Sequence, residues 1–182
     1  VTPVDPRLAR LQREIASATS GFSPEQFVWH EPEKWCAAEI LEHLYLTYTG
    51  TLKGFGRVLE ADRSLASKVI WKNRAQSFVV IGLGYLPTGR KSPDRAKPRG
   101  LPADEVISQI GPTIAHLDNL MSGCSAKFGA RTKLLDHPIL GPLSVNQWCK
   151  FHLVHGLHHV KQIRRLREKW SDENSTTFAS KK

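Results

Sequence analysis

The stretch "KFHLVHGLHHVKQI", Lys150–Ile163, decides the fold, because it reads as helix and carries four of the chain's eight histidines: His152, His155, His158 and His159. Helical residues four apart differ by about 40° around the axis and about 6 Å along it, so their side chains point the same way. His155 and His159 are therefore spaced to hold one metal ion between them. His152 lies near that face one turn earlier, whereas His158 is rotated by about 100° from His159. Two imidazoles seldom complete a site, and a catalytic zinc-like centre commonly uses three protein ligands. His43, in "EILEHL" (Glu39–Leu44), is the best third donor, because it sits among the apolar positions of another helix, where an imidazole needs a partner. An H-x-x-x-H pair alone is a weak signal, and a lone inward histidine is more often hydrogen-bonded than ligating. His30, His116 and His137 read as ordinary positions, with His137 nearest the site because its loop leads into the last helix.

Working outward, "SVNQ" (Ser144–Gln147) has capping-box spacing, so the last helix starts there and runs to about Trp170. The tail "SDENSTTFASKK", 171–182, is expected to be disordered. Asp5 and Pro6 open a first helix over about 6–19, with Leu8, Leu11 and Ile15 at helical spacing. "SPEQ" (Ser23–Gln26) starts a short helix. A second long helix runs from Trp35 or Cys36 to about Asp62 on a broad apolar stripe, where Gly50, Gly54 and Gly56 permit either close packing or a kink. Regularity is lost from Ser64 to about Leu101, although "KVIWKNRAQSFVVIGLG" (68–84) is apolar and compatible with helix. Another helix spans about 102–127, with a kink or break expected at Gly111–Pro112. No strand alternation competes over a useful length. The reading is all-α: one four-helix-bundle domain over 1–170, with a long crossover between the second and third long helices.

Composition narrows the function classes. The most apolar run, Phe78–Leu86, is interrupted by Gly82 and Gly84 and falls short of the roughly 18 to 20 residues a membrane span needs. Three cysteines without a C-x-x-C pairing argue against a thiolate zinc site or a disulfide framework and suit a reducing cytoplasm. The chain opens on Val1, and nothing near it reads as a signal peptide. The net charge of +9 raises nucleic-acid binding, but the cations gather in "RKSPDRAKPRG" (Arg90–Gly100) and "KQIRRLREK" (Lys161–Lys169). The second cluster ends a helix, where the dipole favours cations, and no nucleic-acid motif accompanies either. The first offers a surface for an anionic small molecule.

Three stretches, "KWCAAEILEHL" (Lys34–Leu44), "HPILGPLSVNQW" (His137–Trp148) and "FHLVHGLHHVKQIRRL" (Phe151–Leu166), resemble the DinB/YfiT-like superfamily of metal-binding bacterial four-helix bundles. They look most like its branch with HP-x-x-G-x-L and a terminal H-x-x-H-H-x-x-Q. The resemblance implies a divalent ion, zinc or nickel, on His43, His155 and His159, the set that helical geometry had selected. It implies a metal-dependent hydrolase or a transferase that uses a low-molecular-weight thiol, and a homodimer. On proximity alone, Glu39, His152 and His158 are candidate acid–base residues, and His137 and His152 candidate substrate contacts. Cys36 replaces the usual Ser or Thr in C-A-A-E, and Glu39 reads equally as the capping partner of that box. Gln162, near His159, reads either as support for the site or as an ordinary packing residue. The alternative is a noncatalytic bundle, metal-binding or metal-free, that binds a partner.

Overall fold

A computed structural model describes residues 5–68, 71–84 and 92–179. The chain is mostly helical. Its long helices are α1 (Pro6–Thr19), α3 (Ala37–Glu60), α5 (Ala103–Phe128) and α6 (Val145–Ala179), with short α2 (Pro24–Val28) and α4 (Trp71–Ser77) between them. A π-helical turn, Phe78–Gly82, follows α4, and a 3-10 turn, Asp94–Ala96, lies in the crossover before α5. No helix among the described residues is long and apolar enough to cross a membrane.

The helix starts follow local chemistry. The Asp5 carboxylate accepts from the Arg7 amide at 2.9 Å and Pro6 occupies the first turn. Ser23 and Gln26 form a reciprocal capping box on α2. Cys36 and Glu39 do the same on α3: the Glu39 carboxylate accepts from the Cys36 amide at 2.9 Å, while the thiol accepts more weakly from the Glu39 amide at 3.5 Å. Ser144 and Gln147 complete the same pair at the head of α6, at 3.1 and 3.4 Å.

Helix α3 packs on α5 and α1 packs on α6, enclosing a core built from stripes such as Leu8, Leu11 and Ile15, and Ile110, Ile114 and Leu117. Of the three glycines in α3, Gly54 serves close packing, since a Cβ there would strike Leu135, whereas nothing lies near Gly50 or Gly56. Pro112 sits inside an unbroken α5, so the expected break does not occur. Gly156 marks a close contact of α6 with α1 and α3. An added Cβ would overlap Leu11 and come within 3.1 Å of the Tyr48 hydroxyl. Gly156→Val should therefore destabilise by about 2–3 kcal/mol through overpacking, read as a lower urea midpoint at constant m-value. A variant as stable as the parent would show that the α1–α6 seam is looser than drawn.

Two features depart from the sequence reading. The segment between α5 and α6 is an antiparallel hairpin, β1 (Lys133–His137) with β2 (Gly141–Ser144), where only loop was expected. Its turn closes on Gly141 at φ +71°, a conformation that suits glycine, and the His137 Nδ1 accepts from the amides of Ile139 and Leu140, both at 3.1 Å. The last helix also continues past Trp170 to Ala179, so 171–179 is helical where a disordered tail was expected. Its far half is braced by an edge contact between Trp170 and Trp29 and by Lys169 on Glu31. Of the basic crossover, Arg90 and Lys91 lie outside the described residues, as do Val69 and Ile70 of the apolar piece before it.

Candidate metal centre

Helix α6 presents His155 and His159 one turn apart, and α3 brings His43 against them. The Nε2 atoms of His43 and His159 lie 3.1 and 3.2 Å from the Nε2 of His155. All three histidines are buried, and one nitrogen from each falls within 4.8 Å of the others.

The surroundings fix which nitrogen faces inward. His43 Nδ1 donates to the Ala96 carbonyl at 2.7 Å, with the Ser92 hydroxyl 3.3 Å away. His159 Nδ1 donates to Gln162 Oε1 at 2.7 Å. Each bond puts the ring proton on Nδ1 and leaves the Nε2 lone pair aimed at His155, which is how proteins commonly orient metal-binding imidazoles. His155 lies stacked on Phe151 at 5.2 Å and 14°, and its Nδ1 has no hydrogen-bond partner. At least two lone pairs thus converge on one buried point.

These residues fit a divalent ion. Tetrahedral coordination with zinc–nitrogen bonds of about 2.0–2.1 Å sets ligand nitrogens about 3.3 Å apart, close to the two separations above. Burial lowers the pKa of all three imidazoles: His43 below its ordinary value, His159 to about 3, and His155 well below, with the neighbouring histidines adding to the effect. The donors are therefore neutral at pH 7, the form that binds a metal.

The other candidates separate. His158 is half-buried beside a cleft of about 1120 Å³, outside the triad. Its Nε2 accepts from the Gln162 amide at 3.3 Å, so its lone pair is engaged. His137 also lines the cleft, packed on Phe151 at 4.3 Å, and burial with help from Arg95 lowers its pKa to about 4. Glu39 lines the cleft but spends one oxygen on the Cys36 cap. His152 is fully buried between Tyr48 and Trp148 and is not among the residues that line the cleft. The helical wheel placed it near the triad face, but the neighbouring helix fills that sector.

Gln162 holds both His158 and His159 through one amide, so Gln162→Leu should weaken zinc binding about 10–100-fold, measured by competition with a chromophoric chelator. Unchanged affinity would make the pair incidental. Sequence reasoning missed the Ala96 carbonyl, which has no side-chain signal, and did not single out Glu42, a carboxylate inside the apolar run "ILEHL" that the fold buries.

Residues 10–166 match the model of a family whose description is a protein of unknown function. No curated protein and no solved structure matches the chain.

Proposed function

The chain belongs to the DUF1569 family, and from that premise we propose that it is a metal-dependent enzyme acting on a small molecule at His43, His155 and His159. The observation that carries the reading is that all three buried histidines line the wall of the cleft. A purely structural metal is expected to have a closed shell, whereas this one would face a space large enough for a ligand. When bound, a divalent ion supplies Lewis acidity and makes a water or thiol more acidic at neutral pH.

The protein's own residues do the rest. Ala96 and Gln162 hold two imidazoles in the ligating tautomer. Phe151 backs the third and, with Trp35 and Trp148, gives the cleft an apolar wall. Lys53, Arg57, Arg95, Arg99 and Arg165 line the same cleft without an ion pair among the described residues. Of the cleft's acids, Glu31 is bound to Lys34 and Lys169, Glu39 caps α3 and Asp136 accepts from the Ser67 amide, which leaves Glu33 against those five cations. That imbalance favours an anionic substrate. Arg95→Ala with Arg99→Ala should raise KM at least about tenfold, the scale of one charge-assisted hydrogen bond, and flatten its salt dependence. KM that stays put would remove the anion from the reading.

Hydrolysis and transfer to a low-molecular-weight thiol are the two reactions in view, on a DinB/YfiT-like four-helix bundle of α1, α3, α5 and α6. Zinc or nickel suits the three imidazoles. A cytoplasmic location and a homodimer belong to the same proposal, and light scattering that shows monomer alone would remove the dimer. The experiment is elemental analysis of untagged protein purified without chelator, followed by ester, amide and thiol-transfer screens of the metal-loaded chain. About one zinc or nickel per chain and an activity that chelation abolishes are expected. Folded protein that takes up no metal would overturn the reading.

A further inference from the structure

Glu42 is 1% exposed, yet no lysine or arginine pairs with it among the described residues. Its carboxylate is satisfied by backbone alone. One oxygen accepts from the Arg99 amide at 2.7 Å, and the other accepts from the amides of Gly100 and Leu101 at 3.0 and 3.1 Å. An unpaired buried carboxylate is costly, so three converging N–H donors mark a built arrangement. The next residue on α3 is His43, which grips the same crossover three residues upstream by donating to the Ala96 carbonyl at 2.7 Å. Between these two grips run only Lys97 and Pro98. The amides that wrap Glu42 therefore set where the Ala96 carbonyl lies.

We propose that Glu42 is a positioning residue of the metal centre, a latch that ties the crossover to α3 and so holds His43 in the tautomer that offers Nε2. The inference rests on the metal reading above but has its own readouts. Ordering of the crossover and filling of the site become linked, and such linkage is reciprocal. Zinc added to the wild type then tightens residues 99–101, and loosening those residues weakens zinc.

Glu42→Gln keeps the shape but turns one acceptor into an amide NH₂ that faces at least one of the three N–H donors in either orientation. In the folded variant, checked by circular dichroism, zinc affinity should fall about 10–100-fold. Hydrogen exchange at amides 99–101 should rise about tenfold, the scale of a lost hydrogen bond. Long-range proton–nitrogen spectra of the metal-free variant should show His43 no longer confined to the Nδ1–H form. A folded variant with unchanged zinc affinity and an unchanged His43 tautomer would overturn the proposal, even if its stability fell. Should the variant not fold, the wild type still decides. Zinc that slows exchange at 99–101 supports the latch, and zinc that binds without changing it overturns the latch. If the wild type binds no zinc, the functional reading fails, while the tautomer comparison in metal-free protein still judges Glu42.

Discussion

His155→Ala is expected to lose metal altogether while keeping its fold. His155 is the hinge of the triad, because both short Nε2 separations run through it. Two nitrogens left on different helices have no third donor to complete a site of the usual three protein ligands. Affinity should fall by well over the 10–100-fold that a supporting residue costs. The metal-free fold should survive with some loss of stability: the imidazole Nδ1 has no hydrogen-bond partner among the described residues, but its Nε2 is the neighbour of the His43 and His159 lone pairs, which its removal leaves unpaired. Elemental analysis beside thermal melts with and without zinc gives the result. A variant that still carries one equivalent of metal would move the centre elsewhere.

The second large effect is acid sensitivity of the metal-free chain. Burial holds His152 and His159 at about 3 and His137 at about 4, with His43 and His155 also lowered. The unfolded chain takes up protons near the ordinary imidazole value of 6.5, and the native chain does not. These groups therefore leave stability intact above about pH 6.5, and it is lost as pH falls from there toward about 3–4. Each contributes up to about 1.4 kcal/mol per pH unit, so together they weigh heavily against the roughly 5–15 kcal/mol of a typical domain. Tryptophan fluorescence should report it, since Trp148 is stacked on His152 at 5.5 Å. Unfolding centred between about pH 4.5 and 6, displaced to lower pH by zinc, is expected. A metal-free protein that stays native at pH 4 would mean that these histidines protonate in place.

The residues that were legible in the sequence are those whose geometry is set locally. A helix carries its own coordinate system, so His155 and His159 had to share a face, and the boxes at Ser23, Cys36 and Ser144 announced their helices within four residues. His43 could be nominated because an imidazole in an apolar stripe needs a reason. The hairpin could not be read in the same way. Its strands have five and four residues, and Pro138 and Pro142 obscure them. What secures them is distant: the Leu65 amide on the Leu134 carbonyl, and the Trp148 indole on the Leu135 carbonyl. The burial of His152 between Tyr48 and Trp148 could not be read from a helical wheel, which gives direction without saying which neighbour waits there. The far part of α6 meets Trp29 and Glu31, more than 130 residues upstream, through Trp170 and Lys169, contacts that lie outside any local signal.

Gly156 sits directly after His155, at the point where α6 touches Leu11 of α1. The backbone that sets the depth of the helix contact is the same backbone that sets the depth of a ligand. Variation at Leu11 should thus act as a tuning screw on the metal centre. In a library of α1 core variants, melting temperature and zinc affinity should rise and fall together, although no residue varied is a ligand. With the crossover at 99–101, this seam is a second place where metal affinity would be adjusted without touching a ligand.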